Sequence, residues 1–180
     1  MDIFYLEEVT IERKTDIIEY IREFYQFGSQ INGVGRLQDY VTEDTENFER
    51  WLTKIKEEEK EELHKKCYLF IRKKDNRLIG MVNIRISDNL KDYKYGHIGY
   101  SIRPTERNKG YGKIQFYFAL NELKNNGINI CEMNCERNNI FSKKIIKSLG
   151  GKYEKSINNE EYYLIDVEKI LKKNLLYDNI

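Results

Sequence analysis

The chain has 180 residues, with 31 lysines and arginines against 30 aspartates and glutamates, and its formal net charge is +1. A chain of this length can bury one hydrophobic core without disulfides or a metal, and its balanced charge gives no general case for binding nucleic acid or a membrane surface. We find no repeat and no flexible linker in it, so we expect a single domain over residues 1–180.

The N-terminus lacks the apolar core of a signal peptide, and no window of about 18 apolar residues occurs. The cysteines Cys67, Cys131 and Cys135 are an odd and sparse set, which favours reduced thiols. Cys131 and Cys135 lie four residues apart on a predicted strand, a span of roughly 13 Å that is too long for one zinc ion. We therefore expect a cytoplasmic protein that binds no metal.

Hydrophobic periodicity and turn residues divide the first half of the chain into five elements. Apolar residues at helical spacing predict a helix at about 15–27, and a second helix begins near Asp44 and runs into the charged stretch that ends at Lys66. Lys74, Asp75 and Asn76 favour a hairpin turn. The predicted strands of this half lie at about 3–9, 67–73 and 77–87.

The second half continues with a strand at about 95–103 and a helix that ends near residues 125–127. A strand at about 128–135, a helix at about 139–149 and a pair of strands around Asn158 follow. Residues 168–180 leave open a short terminal helix through Ile170, Leu171, Leu175 and Leu176.

The resulting order is β-α-α-β-β-β-α-β-α-β-β, an α/β chain of the α+β type. The strand, helix and strand from 95 to 135 form a right-handed crossover unit, which predicts a mixed central sheet of about seven strands with four flanking helices and a parallel pair at its centre. Ligands bind at the strand ends of such sheets. These ends hold residues 103–112 and 134–139.

Residues 97–113 indicate a strand, a turn and the start of a helix. The first turn of a helix has free N–H groups and a positive dipole end, which favour an anion. Gly110 and Gly112 allow close approach because they lack a Cβ. Since Arg107, Lys109 and Lys113 add three cationic side chains, the turn predicts a diphosphate ligand.

Two nucleotide-binding motifs do not fit this turn. The phosphate loop of nucleotide hydrolases needs a glycine at the position of Arg107 and a serine or threonine at that of Ile114. The dinucleotide fingerprint needs a third glycine where Gln115 stands.

The segment Arg107-Asn-Lys-Gly-Tyr-Gly112 resembles the Arg/Gln-x-x-Gly-x-Gly/Ala pyrophosphate turn of the GNAT superfamily of acyl-CoA N-acyltransferases. Asn139-Ile-Phe-Ser142 and the helix after it are similar to a second GNAT segment, and the predicted order of elements is that of the GNAT fold. The stretch at 96–104 is closest to a subgroup of predicted acetyltransferases. The resemblance covers residues 76–165 and implies acetyl-CoA as the acyl donor, without a metal.

The resemblance assigns CoA contacts to three segments. Main-chain groups near Ser101, Ile102 and Arg103 are expected to bond the pantetheine arm like an added strand. Asn139 and Ser142 are expected to contact the pantetheine arm or the diphosphate. The residues expected at the diphosphate itself are Arg107, Asn108, Lys109, Gly110, Tyr111, Gly112 and Lys113.

The catalytic base is less well marked. The glutamate or histidine that the family often uses falls at Gly96 or Ile98, next to His97. The imidazole of His97 has a suitable ordinary pKa, but strand alternation turns it to the opposite face. Removal of the proton through water is a further route. The other candidate groups are Tyr100, Glu132 and Glu136.

The general acid is also open. Many members of the family carry a tyrosine seven residues after the asparagine, a position that is Ile146 here. Either another hydroxyl substitutes for it or none is needed, because a thiolate with a pKa of about 8.5 can leave without full protonation. The alternative donors are Tyr153, Tyr162 and Tyr163.

The leading hypothesis is an N-acetyltransferase that moves an acetyl group from acetyl-CoA to a primary amine, of a small molecule or a peptide, by direct attack in a ternary complex. The competing hypothesis is a non-catalytic module that binds acetyl-CoA or another acyl-CoA, and Ile146 is its best support. Nucleic-acid binding through the basic residues near the turn is disfavoured by the near-neutral charge. We expect a monomer or homodimer, with neither nucleic acid nor a membrane as partner.

Overall fold

The computed structural model describes residues 2–40, 45–60, 64–87 and 96–173. Its strands are β1 Phe4–Glu8, β2 Lys65–Arg72, β3 Arg77–Arg85, β4 Ile98–Ile102, β5 Ile130–Glu136, β6 Lys152–Ile157 and β7 Glu160–Asp166. Its helices are α1 Lys14–Gln26, α2 Thr45–Glu58, α3 Tyr111–Asn125, α4 Ile140–Ser148 and α5 Val167–Lys173. The predicted α/β class and order of elements are confirmed, with α5 added after β7.

Two predicted boundaries need comment. The second helix was expected to reach Lys66, but α2 ends at Glu58 and β2 begins at Lys65, because Lys65 pairs with Arg85 of β3. Its predicted start near Asp44 lies outside the described residues. The terminal helix through Ile170 and Leu171 is present as α5. Leu175 and Leu176 also lie outside the described part of the chain.

The seven strands form two antiparallel sheets. One has the order β1-β2-β3-β4 and the other has the order β5-β7-β6. No ladder joins β4 to β5 among the residues that the structure describes. One main-chain hydrogen bond connects the neighbouring edges, from His97 N–H to the carbonyl of Glu132 at 2.8 Å. The predicted central sheet is therefore divided between β4 and β5, and the division positions the site described below.

The helices cover the sheets from both sides. In α1 the buried residues Ile17, Tyr20, Ile21 and Phe24 follow the spacing i, i+3, i+4 and i+7, and they pack with Phe48 and Trp51 of α2 against β2 and β3. On the opposite side, α3 buries Phe116, Ala119, Leu120 and Leu123 together with residues of β5, α4 and α5. Each fully buried large apolar side chain contributes about 1.5–3 kcal/mol of transfer free energy.

Asparagines form the turns of two hairpins. Asn76 has φ 51° between β2 and β3, and Asn158 has φ 53° between β6 and β7. Asparagine tolerates this left-handed conformation better than most residues. In the described ranges, no helix combines the length and the apolar character that crossing a membrane requires.

Candidate active site

A cleft of about 870 Å³ opens where β4 and β5 separate. Its walls come from β4, from β5, from the start of α4 and from the loop between α1 and α2. Ile98, Gly99 and Tyr100 line one side, and Asn134, Cys135 and Glu136 line the other. The cleft therefore includes the end of β5 where the sequence predicted a ligand, residues 134–139, but residues 103–112 do not line it.

The main chain of β4 presents part of its edge to this cleft. Arg85 N–H donates to the carbonyl of His97 and Arg103 N–H donates to the carbonyl of Ile79, both at 2.8 Å, so odd-numbered residues of this segment bond β3. Because main-chain groups alternate in direction along a strand, those of Ile98 and Tyr100 point away from β3.

This alternation changes which residues of β4 can form the predicted main-chain contacts with pantetheine. The main-chain groups of Ser101 and Arg103 face β3 and are not on the cleft edge. Those of Ile102 face outward, although its carbonyl accepts a hydrogen bond from Arg107 Nε at 3.1 Å. Of the three predicted positions, the structure thus leaves Ile102 on that edge and adds Ile98 and Tyr100.

The edge of β5 that faces β4 also presents main-chain groups to the cleft. Val167 N–H donates to Asn129 and Arg137 N–H donates to Asn159, so odd-numbered residues bond towards β7. The main-chain groups of Asn134 and Glu136 therefore point towards β4. We call the space between these two edges the wedge, bordered by the main chain of Ile98, Tyr100, Asn134 and Glu136.

The glycine turn lies at the start of α3. Gly110 has φ 82° and precedes the helix directly, and a Cβ added to it would meet no atom within 4 Å. Its role is therefore the left-handed conformation that the turn requires. A Cβ on Gly112 would lie 2.9 Å from Ile145 Cδ1 of α4. Gly112 thus allows close packing of α3 and α4, whereas the sequence suggested an approach to the ligand.

The cationic side chains of the turn bond to the protein itself. Arg107 donates from Nη2 to Ser29 Oγ at 2.8 Å, in addition to its bond to Ile102, and its guanidinium lies 5.2 Å from the centre of the Phe24 ring. Lys109 Nζ donates to Glu106 Oε2 at 2.8 Å. Tyr111 donates from its hydroxyl to Asp2 at 2.6 Å. The structure therefore places the guanidinium of Arg107 against α1.

A buried ionic network holds the turn in place. Arg72 donates two hydrogen bonds to Glu106, at 3.0 and 3.2 Å, and Arg77 Nε lies 3.3 Å from the same carboxylate. Burial raises the pKa of Glu106, but hydrogen bonds from Lys109 and Arg72 outweigh it, so the net shift is downward. Glu23 of α1 accepts bonds from the N–H and hydroxyl of Thr105, both at 2.8 Å. Sequence reasoning missed both carboxylates, since Arg72 is distant in the chain from Glu106 and Thr105 is distant from Glu23.

Asn139 and Ser142 line the cleft at the start of α4. Asn139 Oδ1 accepts the N–H of Ser142 at 3.0 Å, so this asparagine caps the helix. Its side chain thus fixes the position of Ser142. The hydroxyl of Tyr100 donates to Ser142 Oγ at 3.5 Å from the opposite wall. The three residues therefore meet across the wedge.

His97 is buried and does not line the cleft. Its Nδ1 accepts the N–H of Glu132 at 2.9 Å, and its Nε2 lies 3.1 Å from the carbonyl of Ser87. Burial lowers the pKa of His97, against opposing contributions from its bonds to Ser87 and Glu132. Because both ring nitrogens are engaged, His97 is not placed to take a proton from an amine in the cleft. This corrects its listing among the catalytic candidates.

The other two catalytic candidates do line the cleft. The ring of Tyr100 lies edge-on to Phe116 at 5.5 Å, and burial raises the pKa of its hydroxyl to about 12. Tyr100 is therefore protonated near neutral pH. Glu136, at the end of β5, is exposed at the rim. Glu132, the further alternative, is not among the lining residues of the cleft.

A family comparison decides the class of this site. The model of the acetyltransferase (GNAT) family matches residues 35–150, which include the turn, the wedge and Asn139. The chain belongs to this family. No curated protein sequence matches the chain.

Solved GNAT structures share the fold at low sequence identity. RimL, a ribosomal L7/L12 alpha-N-protein acetyltransferase in complex with coenzyme A, gives a TM-score of 0.69 at 14% identity, over 91% of this chain and 93% of that one. SpeG, the spermidine/spermine N-acetyltransferase from Vibrio cholerae, gives a TM-score of 0.64 at 15% identity, over 96% of this chain and 99% of that one. The yncA protein from Salmonella typhimurium, with its cofactor acetyl-CoA, gives a TM-score of 0.60 at 12% identity, over 91% of this chain and 94% of that one.

This GNAT chain departs from the family at Ile146, which is fully buried at the floor of the cleft. The tyrosines considered as substitutes do not line the cleft. Tyr163 donates to Glu161 and Tyr153 bonds Ser156, both on the hairpin of β6 and β7. Tyr100 is therefore the tyrosine hydroxyl that the described structure brings into the wedge.

Glu160 lines this GNAT cleft and had no sequence signal. Asn134 accepts the N–H of Gly96 at 2.9 Å and donates to Glu160 Oε2 at 3.1 Å, which holds the Glu160 carboxylate at the cleft beside Glu136. Glu136 and Glu160 are direct partners between β5 and β7. Only the register of two strands far apart in the chain reveals this pair.

The loop of residues 30–36 forms the wall opposite β5. A Cβ on Gly33 would lie 2.3 Å from the carbonyl oxygen of Gly99, so the loop touches β4 backbone to backbone. Ser101 donates to the carbonyl of Asn32 at 2.5 Å, and Trp51 donates from Nε1 to that of Gly35 at 3.1 Å. These contacts fix the loop between β4 and α2.

Proposed function

We propose that the protein transfers an acetyl group from acetyl-CoA to a primary amine, by direct attack in a ternary complex. The observation that carries the proposal is the wedge, whose edges present main-chain groups of Ile98 and Tyr100 and whose neighbouring turn presents the start of α3. Family membership and the neighbours with CoA or acetyl-CoA support the donor.

In this proposal the donor lies along the edge of β4. The pantetheine amides bond the main chain of Ile98, Tyr100 and Ile102 as an added strand would. The diphosphate meets the N–H groups at the start of α3, with Lys113 and Lys109 beside it. For Lys109 this requires exchange of its bond to Glu106 for one to phosphate.

The proposed reaction follows from holding the amine beside the thioester. A neutral amine beside the thioester forms the N–C bond, the C–S bond breaks, and the electron pair leaves with the CoA sulfur. A main-chain N–H on the β4 edge stabilises the developing oxyanion. Holding the two reactants together supplies much of the rate by proximity.

We assign the protons to groups that face the cleft. The carboxylates of Glu136 and Glu160 accept the amine proton through water. The hydroxyl of Tyr100, protonated near neutral pH, donates a hydrogen bond to the departing thiolate. Ser142 lies within reach of the same hydroxyl.

The second candidate function is a module that binds acetyl-CoA or another acyl-CoA without turnover. Ile146 favours it, because an isoleucine stands where many family members carry a tyrosine, and it is completely buried. The two functions share the donor site and differ only in turnover.

Calorimetry with acetyl-CoA, followed by thiol release over a panel of small amines and peptide N-termini, separates the candidates. Transfer predicts binding together with thiol release that depends on the amine. Binding with release no faster than background hydrolysis favours the module, and no binding overturns both. The panel includes polyamines and a peptide N-terminus because SpeG and RimL carry those acceptors in their names.

We further propose a cytoplasmic location and a monomeric or homodimeric state. The three cysteines are free thiols, and burial raises the pKa of each, of Cys135 to about 11. Inert reduced thiols suit a reducing compartment. Cell fractionation and light scattering test these two statements.

A further inference from the structure

His97 stands at the point where the two sheets meet, and it contacts Glu132 twice. Its main-chain N–H donates to the Glu132 carbonyl at 2.8 Å, and its Nδ1 accepts the Glu132 N–H at 2.9 Å. The side chain is 3% exposed. One residue thus satisfies both main-chain groups of its partner on β5.

The partners fix the protonation state of the ring. A main-chain N–H can only donate, so Nδ1 must be an unprotonated acceptor facing Glu132. The carbonyl of Ser87 can only accept, so Nε2 carries the proton at 3.1 Å. The neutral tautomer with hydrogen on Nε2 is therefore the form that this junction requires.

The ring replaces a main-chain group of β4. In a continuing ladder, the N–H of Glu132 would bond a carbonyl of the neighbouring strand. Here the imidazole takes that N–H, while the carbonyl of His97 accepts from Arg85 of β3. One residue earlier, Gly96 N–H bonds the side chain of Asn134, not its main chain. Side-chain acceptors thus take the place of main-chain carbonyls at this contact.

We propose that His97 is a positioning residue, whose imidazole and main-chain N–H both bond Glu132 and so fix β4 against β5 at the closed end of the wedge that receives the acyl donor. The inference rests on the proposed function, because it takes CoA as the occupant of the wedge. Beyond this contact the carbonyl of His97 bonds Arg85 of β3, so the main-chain groups of Ile98 and Tyr100 stay apart from those of Asn134 and Glu136. Without the ring, Glu132 N–H loses its acceptor, and only the main-chain bond from His97 N–H remains of this paired contact.

Among the residues that the structure describes, the charged groups around the ring are Arg85 of β3 and Glu132 of β5. Arg85 donates to the carbonyl of Gly96 at 2.6 Å, and its charge opposes protonation of His97, whereas the charge of Glu132 favours it. Burial is the largest influence and lowers the pKa of the ring. Protonation would place a hydrogen on Nδ1 opposite the Glu132 N–H, so the junction is lost as pH falls through that lowered pKa.

His97→Asn and His97→Leu form a matched pair of test variants. Asparagine places an acceptor oxygen near the position of Nδ1, whereas leucine has a similar shape and no acceptor. We expect His97→Leu to weaken CoA binding about tenfold in calorimetry without any amine present, and His97→Asn to stay within about threefold of wild type. If the leucine variant does not fold, His97→Gln replaces it, since its amide reaches the Nε2 position and leaves Nδ1 vacant.

The outcomes separate three roles of His97. Equal CoA affinity in all variants, with kcat lost in both, would make His97 a catalytic base and overturn the positioning role. Unchanged affinity and kcat would overturn it as well. A wild-type protein that does not bind CoA would instead refute the proposed function. Affinity for CoA in wild type should decline as pH falls through the lowered pKa of His97, and this decline should be absent from His97→Asn.

Discussion

The two sides of the cleft are built in opposite ways. The donor side is one contiguous segment, from β4 through the turn at residues 107–112 into α3. The other side, where we propose that the amine acceptor binds, combines the loop of residues 30–36 with Arg85, Asn134 and Glu160 from three different strands. A contiguous site leaves a pattern in the sequence, whereas one assembled from distant strands leaves none. Four variants test this difference, from the largest expected effect to the smallest.

Glu106→Gln removes the buried carboxylate that anchors the donor side. Arg72 and Lys109 would lose a charged partner, so we expect a loss of about 3 kcal/mol in the free energy of unfolding, measured by urea denaturation. Glu168→Gln is the control, since its bond to Lys172 is exposed and we expect little change. A loss equal to that of the control would contradict the anchoring role.

The same carboxylate predicts a pH dependence. The pKa of Glu106 is lowered in the folded state from its ordinary value of 4.5. Its contribution to stability is therefore complete above about pH 5 and is lost as pH falls through the lowered pKa. Urea denaturation between pH 7 and pH 3 should show a smaller acid loss in Glu106→Gln than in wild type.

Gly33→Ala tests the acceptor side. Gly33 has φ 71°, and its new Cβ would lie 2.3 Å from a backbone oxygen, so the loop must move at a cost of about 2–3 kcal/mol. Gly28→Ala is the control, because it has φ 56° and open space and should cost only about 1 kcal/mol. KM for the amine should rise in Gly33→Ala while CoA affinity stays unchanged. A selective loss of CoA affinity would reverse the assignment of the two sides.

Gly110→Ala tests the turn itself. Gly110 and Gly127 have φ of 82° and 83°, each without neighbours for a Cβ, so alanine at either should cost about 1 kcal/mol of stability. Only Gly110 precedes the helix at the predicted diphosphate. Calorimetry should show CoA binding about tenfold weaker in Gly110→Ala and unchanged in Gly127→Ala. Equal CoA affinities in the two variants would contradict the assignment of the diphosphate to this turn.

Tyr100→Phe has the smallest expected effect on stability. The variant loses one hydroxyl whose bond to Ser142 is 3.5 Å long, so the change should stay below about 1 kcal/mol. Thiol release should fall about tenfold at saturating acetyl-CoA if this hydroxyl assists the thiolate. Tyr153→Phe, outside the cleft, serves as the control. Equal rates of thiol release in the two variants would show that the hydroxyl of Tyr100 does not assist departure of the thiolate.

The sequence predicted what depends on local order. The helical spacing of Ile17, Ile21 and Phe24 predicted α1, and Asn76 and Asn158 marked the hairpin turns. The turn with Gly110 was found because its glycine and its helix are adjacent in the chain. Family membership followed from the same contiguous residues, and the match over 35–150 confirmed it.

The side-chain partners were not predictable in this way. Arg107 and Lys109 were expected to face phosphate, but Ser29 and Glu106 hold them in this structure. The second helix was predicted to extend too far, because the local sequence around Lys65 favours a helix and only its pairing with Arg85 shows that it belongs to β2. Ser29 and Arg85 lie far along the chain from Arg107 and Lys65, whereas Glu106 is only three residues from Lys109 and was overlooked.

The sequence by itself determined the order of elements, the glycine turn and the family, because these depend on residues that are neighbours along the chain. Only the tertiary structure decided that Ile98 and Tyr100 face the wedge, that Glu160 stands beside Glu136, and that the ring of His97 bonds Glu132. Strand register sets all three. A shift of one residue would turn each group to the opposite side, and no local pattern records that choice.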